Sequence, residues 1–343
     1  MKIVCKAPCR VDLAGGTLDI WPLYLNHPGA VTVNFAIDRY ARCTLETNDN
    51  PEIELHSLDL NLSHSYASLD GVRDALLQSA RHKHLLAALA VRFFEPKMGF
   101  RLTTHSEAPA GAGISGSSAM MIAVCSALNR VTNSGYGLEK IREIAQNIEA
   151  QMIRVPTGSQ DYYPAMYGRV SAIELGPAGI RRSSIPVDLD ELNRRFVLAY
   201  TGAPRNSGIN NWEVTKAYID GDPVVRKNFE QITSIAIAMR QALATGRWEE
   251  AGRLLRDEWA HRRKNAPGIT TPLIDELIRR ARRAGAVGAK VCGAGGGGCV
   301  LFLVQPDAKA RVSALIARNG VTVLPVKVAR GGLTIQTSRQ TSR

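Results

Sequence analysis

The most informative stretch of the sequence is PAGAGISGSSA at residues 109–119, which an apolar run follows. This pattern predicts a glycine-rich turn leading into a helix. Glycines let a backbone approach a ligand closely, and the unpaired N–H groups at a helix start can hold phosphate without a side-chain cation. No lysine or arginine occurs from residue 109 until Arg130, which excludes a Walker-type loop, because that loop requires Gly-Lys-Ser/Thr. A plain capped helix after a turn is the alternative.

Length and composition predict an ordinary globular protein. A chain of 343 residues is long enough for two domains, and 45% hydrophobic with 22% charged residues is a typical globular mixture. No apolar run approaches the roughly 20 residues that span a bilayer, and the start has no apolar signal core. We therefore expect a cytoplasmic protein with no membrane partner.

The chain is basic, with 43 Lys and Arg against 31 Asp and Glu. Much of the excess lies in the segments 261–268 and 279–285, on helical patterns. Aromatic residues make up only 6% and do not interleave with these segments, so no platform for base stacking is visible. The charge therefore indicates solvated helix faces or an anionic substrate rather than nucleic acid.

Periodicity predicts a mixture of strands and helices. Residues 30–38 alternate as a half-buried strand does, with 40–47 as its antiparallel partner. Residues 137–153 have the spacing of an amphipathic helix. A strand at 194–202 begins a second unit, and glycines separate two apolar strands within 289–304.

Four polar side chains and one glycine run are candidates for chemistry. Ser117 and Ser118 at the helix start can cap it or bind Mg²⁺. Glu149 lies on or beside an apolar stripe, where it forms a salt bridge, reaches solvent or binds Mg²⁺. Asp161 follows a Pro/Gly turn and is either a helix cap or a functional carboxylate. The glycine run at 292–299 is either a flexible connection or a close approach to a ligand.

Three motifs in order resemble those of the GHMP small-molecule kinases. They are KAPCRVDLAGG (6–16), PAGAGISGSSA (109–119) and KVCGAGGGGCVLF (290–302), and Glu149 and GSQD (158–161) stand between them. Within that family, segments such as AGGTLD, GSQDYYPAMYG and TGAPRNSG are most similar to the bacterial heptose-phosphate kinases. Those enzymes phosphorylate the anomeric hydroxyl of a heptose 7-phosphate.

The resemblance implies a two-domain α+β fold. The N-terminal ATP-binding domain, residues 1–188, would hold an antiparallel sheet like that of ribosomal protein S5 domain 2. The C-terminal domain, residues 189–343, would be ferredoxin-like. ATP and a small-molecule sugar or sugar-phosphate substrate would meet in the cleft between the domains.

The resemblance also implies roles for single residues. Ser117 and Glu149 would hold Mg²⁺ against the phosphates of ATP, Asp161 would accept the proton of the attacking hydroxyl, and Arg10 would orient Asp161 or polarise that hydroxyl. The nucleotide would bind the loop at Pro109, Gly111, Ala112, Gly113, Ile114, Ser115, Gly116, Ser117 and Ser118. The substrate would bind at Thr17, Asp19, Gly158, Arg205, Gly295 and Gly296.

The sequence departs from the family pattern at three places, one of which is Ala203-Pro204 in TGAPRNSG, where the family has a more polar pair. The usual loop Gly-Leu-Gly-Ser-Ser here has Ser115 and Gly116 exchanged, which predicts different backbone dihedrals there. The segment Gly15-Gly16-Thr17-Leu18-Asp19 stands where heptose kinases usually have GGGTD, which leaves the acceptor open. A neutral sugar such as galactose or fucose, or an isoprenoid acid such as mevalonate, is the alternative substrate. A catalytically silent binding protein is the alternative that is not an enzyme. The sequence predicts no oligomeric state.

Overall fold

The structure, a computed structural model, describes residues 1–78, 85–203 and 207–339. The strands are β1 Lys2–Ala14, β2 Val31–Thr47, β3 Ile53–Ser57, β4 Leu62–Tyr66, β5 Phe100–Ser106, β6 Val170–Gly176, β7 Gly179–Ser184, β8 Phe196–Tyr200, β9 Ala286–Val291, β10 Cys299–Val304, β11 Thr322–Leu324 and β12 Thr334–Ser338. The helices are α1 Leu69–Gln78, α2 Leu85–Phe94, α3 Gly116–Thr132, α4 Leu138–Ile153, α5 Tyr162–Tyr167, α6 Leu189–Arg195, α7 Ser207–Ile219, α8 Pro223–Ala244, α9 Trp248–Arg262, α10 Pro272–Arg283 and α11 Lys309–Arg318.

The first sheet has the strand order β12-β1-β2-β5-β3-β4, and β6 and β7 extend it from β2. Its pairs are antiparallel except β3 and β5, which run parallel, so the predicted antiparallel sheet is in fact mixed. Helix α3 packs on β1 and β2. Because α3 is buried along most of its length, this packing fixes the glycine-rich turn at its start above the middle of the sheet.

The predicted hairpin at 30–47 is wrong, because Val31–Thr47 is one continuous strand. Strand β1 pairs with both halves of β2, and the register shifts between Pro8 and Cys9. Such an irregularity bends a strand without ending it. The segment between the two predicted strands has no glycine or Asn-Gly pair that would favour a tight turn.

The second sheet has the antiparallel order β11-β8-β10-β9. Helices α7 to α10 lie between β8 and β9 in the chain, and α11 lies between β10 and β11. This is the βαββαβ arrangement of a ferredoxin-like domain, as predicted. The last strand, β12, returns to pair with β1 of the first sheet. The domain boundary at residue 188 stays a prediction.

Local signals explain where the helices lie. Ile141, Ile144, Ala145 and Ile148 form the buried face of α4, which confirms the helix predicted at 137–153. The Thr271 side chain caps α10 by accepting a hydrogen bond from the N–H of Ile274. Within the described ranges, no helix is long and apolar enough to cross a bilayer.

Candidate active site

A cavity of about 570 Å³ lies between the two sheet-bearing parts of the chain. One end is apolar, with side chains that include Leu86, Met120 and Met152. The other end is polar and includes Asp19 and Asp161. The glycine-rich loop, residues 109–117, also lines the cavity. The cavity therefore combines acidic and apolar side chains with a loop that leads into the start of a helix.

The loop turns tightly through residues in the left-handed region. Gly111 has φ 67°, Gly113 has φ 76° and Ser115 has φ 59°. Helix α3 begins at Gly116, so the exchange of Ser115 and Gly116 leaves a serine where glycine is the easier residue. The Ser115 hydroxyl is buried and has no hydrogen-bond partner among the described residues. A buried unpaired donor at the start of a helix suits an anionic ligand.

Glu149 is buried directly behind the start of α3. Its carboxylate accepts hydrogen bonds from Ser117 Oγ at 2.5 Å, Ser118 Oγ at 2.9 Å and Tyr162 OH at 2.6 Å. It forms no salt bridge within the part of the chain that the structure describes. Burial raises the pKa of the Glu149 carboxyl, and the three hydroxyls oppose that shift. The alternatives of a solvent-reaching or ion-paired glutamate do not fit this position.

Asp161 is held by Arg10. The Arg10 Nε and Nη2 atoms donate to Asp161 Oδ1 at 3.0 and 2.6 Å, and Nη1 donates to the Gly113 carbonyl at 2.8 Å. The Asp161 side chain makes no capping hydrogen bond although it stands at the start of α5. The helix-cap alternative is therefore wrong. One guanidinium connects the loop to a carboxylate that is 24% exposed toward the cavity.

Asp19 lies beside Asp161 at the polar end. It is 2% exposed and accepts a hydrogen bond from the Gln160 N–H at 2.8 Å. Burial, with Asp161 as the next cause, raises the pKa of Asp19 to about 7. A Cβ atom on Gly158 would lie 2.1 Å from Asp19 Oδ2, so only glycine fits at that position without displacing the carboxylate. Thr17 completes this wall of the cavity.

The third motif supports the loop more than it lines the cavity. The Cys299 N–H donates to the Ala112 carbonyl at 2.7 Å. Gly293 lines the cavity, but Gly295 and Gly296 do not. A Cβ on Gly295 would meet the Ile269 backbone at 2.6 Å, and the Gly296 N–H donates to the Ile269 carbonyl. Close approach of protein backbone explains these glycines, so the geometry does not support their predicted contact with substrate.

Among the described residues, Ser118 is absent from the cavity lining for another reason. Ser118 faces Glu149 instead of the cavity, and Arg205 lies outside the described residues. The sequence interpretation missed Asp12 and Arg262, which line the cavity and are 0% and 4% exposed. Asp12 stands two positions after Arg10 on the same strand, which places both on one face. Arg262 belongs to a basic segment that indicated solvated helix faces or an anionic substrate, and its burial at the cavity excludes the solvated face for this residue.

The arrangement suits phosphoryl transfer, which depends on positioning and on stabilising oxygen charge. The helix start offers N–H groups to phosphate, Glu149 offers a buried carboxylate beside it, and Asp161 offers a proton acceptor that Arg10 connects to the loop.

Comparisons with known proteins agree with this geometry. Residues 82–169 match the model of the GHMP kinases N terminal domain, and residues 239–321 match GHMP kinases C terminal. The chain is 27% identical to the D-glycero-alpha-D-manno-heptose 7-phosphate kinase of Campylobacter jejuni over 317 residues, which cover 89% of this chain and 90% of that protein. It is 25% identical to the mevalonate kinase of Thermococcus sibiricus over 98% of this chain and 99% of that one.

A solved structure is similar over nearly the whole chain. It is that of a D-glycero-D-manno-heptose 1-phosphate kinase from Bacteroides thetaiotaomicron, with a TM-score of 0.75, 25% identity, and coverage of 98% of this chain and 100% of that one. Both domain models, the relatives and the fold agree, and the chain belongs to the GHMP kinases, ATP-dependent phosphotransferases that act on hydroxyl groups.

Proposed function

We propose that this protein transfers the γ-phosphoryl group of ATP to the anomeric hydroxyl of a sugar phosphate similar to heptose 7-phosphate. The observation that carries this proposal is the Arg10–Asp161 pair, in which a carboxylate lines the cavity next to Asp19 and is connected through Arg10 to the Gly113 carbonyl of the glycine-rich loop. The similarity to a heptose 7-phosphate kinase supports the choice of acceptor.

The nucleotide would occupy the loop and the apolar end of the cavity. The base would lie among side chains such as Leu86, Met120 and Met152. The phosphates would accept hydrogen bonds from the unpaired N–H groups of the first turn of α3. The unpaired Ser115 hydroxyl is a further donor at this point.

The residues at the loop fit Mg²⁺. Glu149 is a buried carboxylate without a described cationic partner, and Ser117 Oγ lies 2.5 Å from it, so the pair offers the oxygen ligands that this ion prefers. Ser117 and Glu149 would hold the ion, which would neutralise charge on the phosphates of ATP.

Asp161 would act as the base. As the acceptor oxygen bonds to the γ-phosphorus and the bond to the ADP oxygen breaks, the hydroxyl proton would pass to the Asp161 carboxylate. Arg10 would keep that carboxylate aimed at the hydroxyl through its two hydrogen bonds. Thr17 and Asp19 would bind hydroxyls of the acceptor, and Arg205 would bind its distal phosphate.

A panel of acceptors tests the proposal. The protein is incubated with ATP and Mg²⁺ and with heptose 7-phosphate, heptose, galactose, fucose or mevalonate in turn, and ADP release and ³¹P NMR are recorded. We expect turnover of the sugar phosphate and a new anomeric phosphate signal. Preference for a neutral sugar or for mevalonate would overturn the acceptor, and ATP binding without transfer to any compound would favour a silent binding protein.

Arg205 gives a second test of the acceptor. Arg205→Ala should raise the KM for the phosphorylated sugar far more than for the same sugar without its phosphate, because it would remove the guanidinium proposed to bind that phosphate. Equal effects on both sugars would remove Arg205 from the acceptor site.

A further inference from the structure

A continuous network of charged side chains, most of them buried, connects the second sheet and helix α9 to the polar end of the cavity, where the acceptor would bind. Its members alternate in sign, and five of the six are less than 5% exposed. In order they are Asp161, Arg10, Asp12, Lys290, Glu258 and Arg262. Three acidic and three basic groups balance, so the network of six side chains has no net charge when all six are ionised.

Lys290 lies at the centre of this network. Its Nζ atom donates to Asp12 Oδ2 at 2.6 Å and to Glu258 Oε1 at 3.1 Å. The other oxygen of Asp12 accepts the Gly293 N–H at 3.0 Å and lies 3.6 Å from Arg10 Nη1. Lys290 therefore neutralises Asp12, the carboxylate that competes with Asp161 for Arg10 among the residues that the structure describes.

Glu258 extends the network to the loop that carries Gly16 and Thr17, which we call the acceptor loop. Its Oε1 atom also accepts from Arg262 Nη2 at 2.6 Å, and Arg262 donates to the Gly16 carbonyl at 2.6 Å and to Thr17 Oγ1 at 3.1 Å. Thr17 has φ 71°, a strained conformation for a β-branched residue that persists only where the surroundings hold it. The same glutamate thus anchors both the lysine behind Asp12 and the arginine at Thr17.

Stability alone does not account for this arrangement. A buried ion pair is weak evidence for stability, because desolvation of the charges offsets their attraction and apolar residues of similar size often serve as well. Glu258 Oε2 is moreover buried without a partner among the described residues. The two ends of the network, by contrast, are the Asp161 carboxylate and the loop with Gly16 and Thr17, and both line the cavity.

We propose that Lys290 and Glu258 are positioning residues for phosphoryl transfer. Lys290 holds the charge of Asp12, so that Arg10 stays directed at Asp161, and Glu258 anchors Lys290 together with Arg262 and the acceptor loop. This inference rests on the proposed function of Asp161 as the base. Both residues come from the C-terminal part of the chain, so alignment of the base depends on contact between the two domains.

Lys290→Met tests the role proposed for Lys290. Without the lysine, the buried Asp12 has Arg10 as its remaining side-chain cation within 4 Å and draws it from Asp161. We expect kcat to fall about 10- to 100-fold, with the KM for ATP within twofold of the wild type. The double variant Asp12→Asn/Lys290→Met removes the competing charge and should recover most of kcat. Equal loss in the single and double variants, or no loss in either, would overturn the proposal.

Two further variants separate positioning from general destabilisation. Lys309 Nζ donates to the Asn193 carbonyl at 2.6 Å, away from the cavity, so Lys309→Met is the matched control and should leave kcat unchanged. Glu258→Gln should lower kcat and also raise the KM of the acceptor, because it weakens the contacts of Glu258 with both Lys290 and Arg262. A fall in thermal stability without either kinetic change would make the network structural.

The kinetic arms need an acceptor that the wild type phosphorylates, whichever compound of the panel that is. If the wild type phosphorylates none, the proposed function fails, and a crystal structure of Lys290→Met still decides the positioning role. We expect the distance from Arg10 Nη2 to Asp161 Oδ1, 2.6 Å in the wild type, to exceed 3.5 Å. An unchanged distance would contradict the proposal.

Discussion

Replacing Asp19 by asparagine should stabilise the protein at alkaline pH while weakening acceptor binding. Asp19 is 2% exposed, and burial and then the neighbouring Asp161 raise its pKa from 3.8 to about 7. Its negative charge is therefore unfavourable in the folded protein. Asparagine keeps an oxygen that can accept the Gln160 N–H but carries no charge.

The size and the sign of this effect follow from linkage. A carboxyl with a raised folded pKa binds more protons folded than unfolded between about pH 4 and pH 7, so its contribution to stability is complete below this window and is lost as the pH rises through 7. The rise of the Asp19 pKa from 3.8 to about 7 corresponds to about 4 kcal/mol. Relative to wild type, Asp19→Asn should therefore gain up to about 4 kcal/mol between pH 4.5 and pH 8.5.

Urea unfolding of both proteins at pH 4.5, 6.5 and 8.5 measures this gain, and acceptor titration at pH 7.5 measures the functional loss. We expect the stability difference to grow with pH and the KM of the acceptor to rise at least tenfold. A difference that does not change with pH would refute the buried charge, and an unchanged KM would place Asp19 outside the acceptor site.

Three further variants test the loop, the metal site and the acceptor wall. Gly113→Val should abolish ATP binding while the fold remains, because the side chain blocks backbone approach at a residue with φ 76°; unchanged affinity in calorimetry would refute the loop as the nucleotide site. Glu149→Gln removes a carboxyl group whose pKa is raised by burial, so the stability of the protein above neutral pH should be equal or greater. Turnover should need more Mg²⁺, and kcat should fall. If the Mg²⁺ dependence stays the same, Glu149 is structural. Gly158→Ala places a Cβ 2.1 Å from Asp19 Oδ2 and should raise the acceptor KM but not the KM for ATP; equal changes in both would contradict a local displacement.

Features that depend on local backbone were predictable from the sequence. The glycine-rich turn and the helix after it follow from glycines next to an apolar run, and the structure has both at 111–132. The position of Glu149 beside the apolar stripe of α4 was predictable, but the sequence left open whether it reaches solvent, forms a salt bridge or binds Mg²⁺. These predictions needed residues within a few turns of each other.

Features that depend on partners far away in the chain were not predictable in the same way. Arg262 pairs with Glu258 within its own helix, but its burial comes from Gly16 and Thr17, 246 and 245 residues earlier. A basic segment on a helix indicates a solvated face unless such partners are known. The glycine run at 292–299 posed the same problem, since sequence alone does not show whether a ligand or the backbone of Ile269 approaches it.

The most direct test of the account is the turnover of Asp161→Asn. Asparagine keeps the oxygen that accepts both hydrogen bonds from Arg10, so the fold and the affinity for ATP should be preserved. It loses the charge that would accept the hydroxyl proton, and we predict a fall in kcat of about 10²–10⁴-fold at saturating ATP and acceptor. Turnover close to that of the wild type would contradict Asp161 as the base and would leave transfer to positioning by Arg10 and the loop.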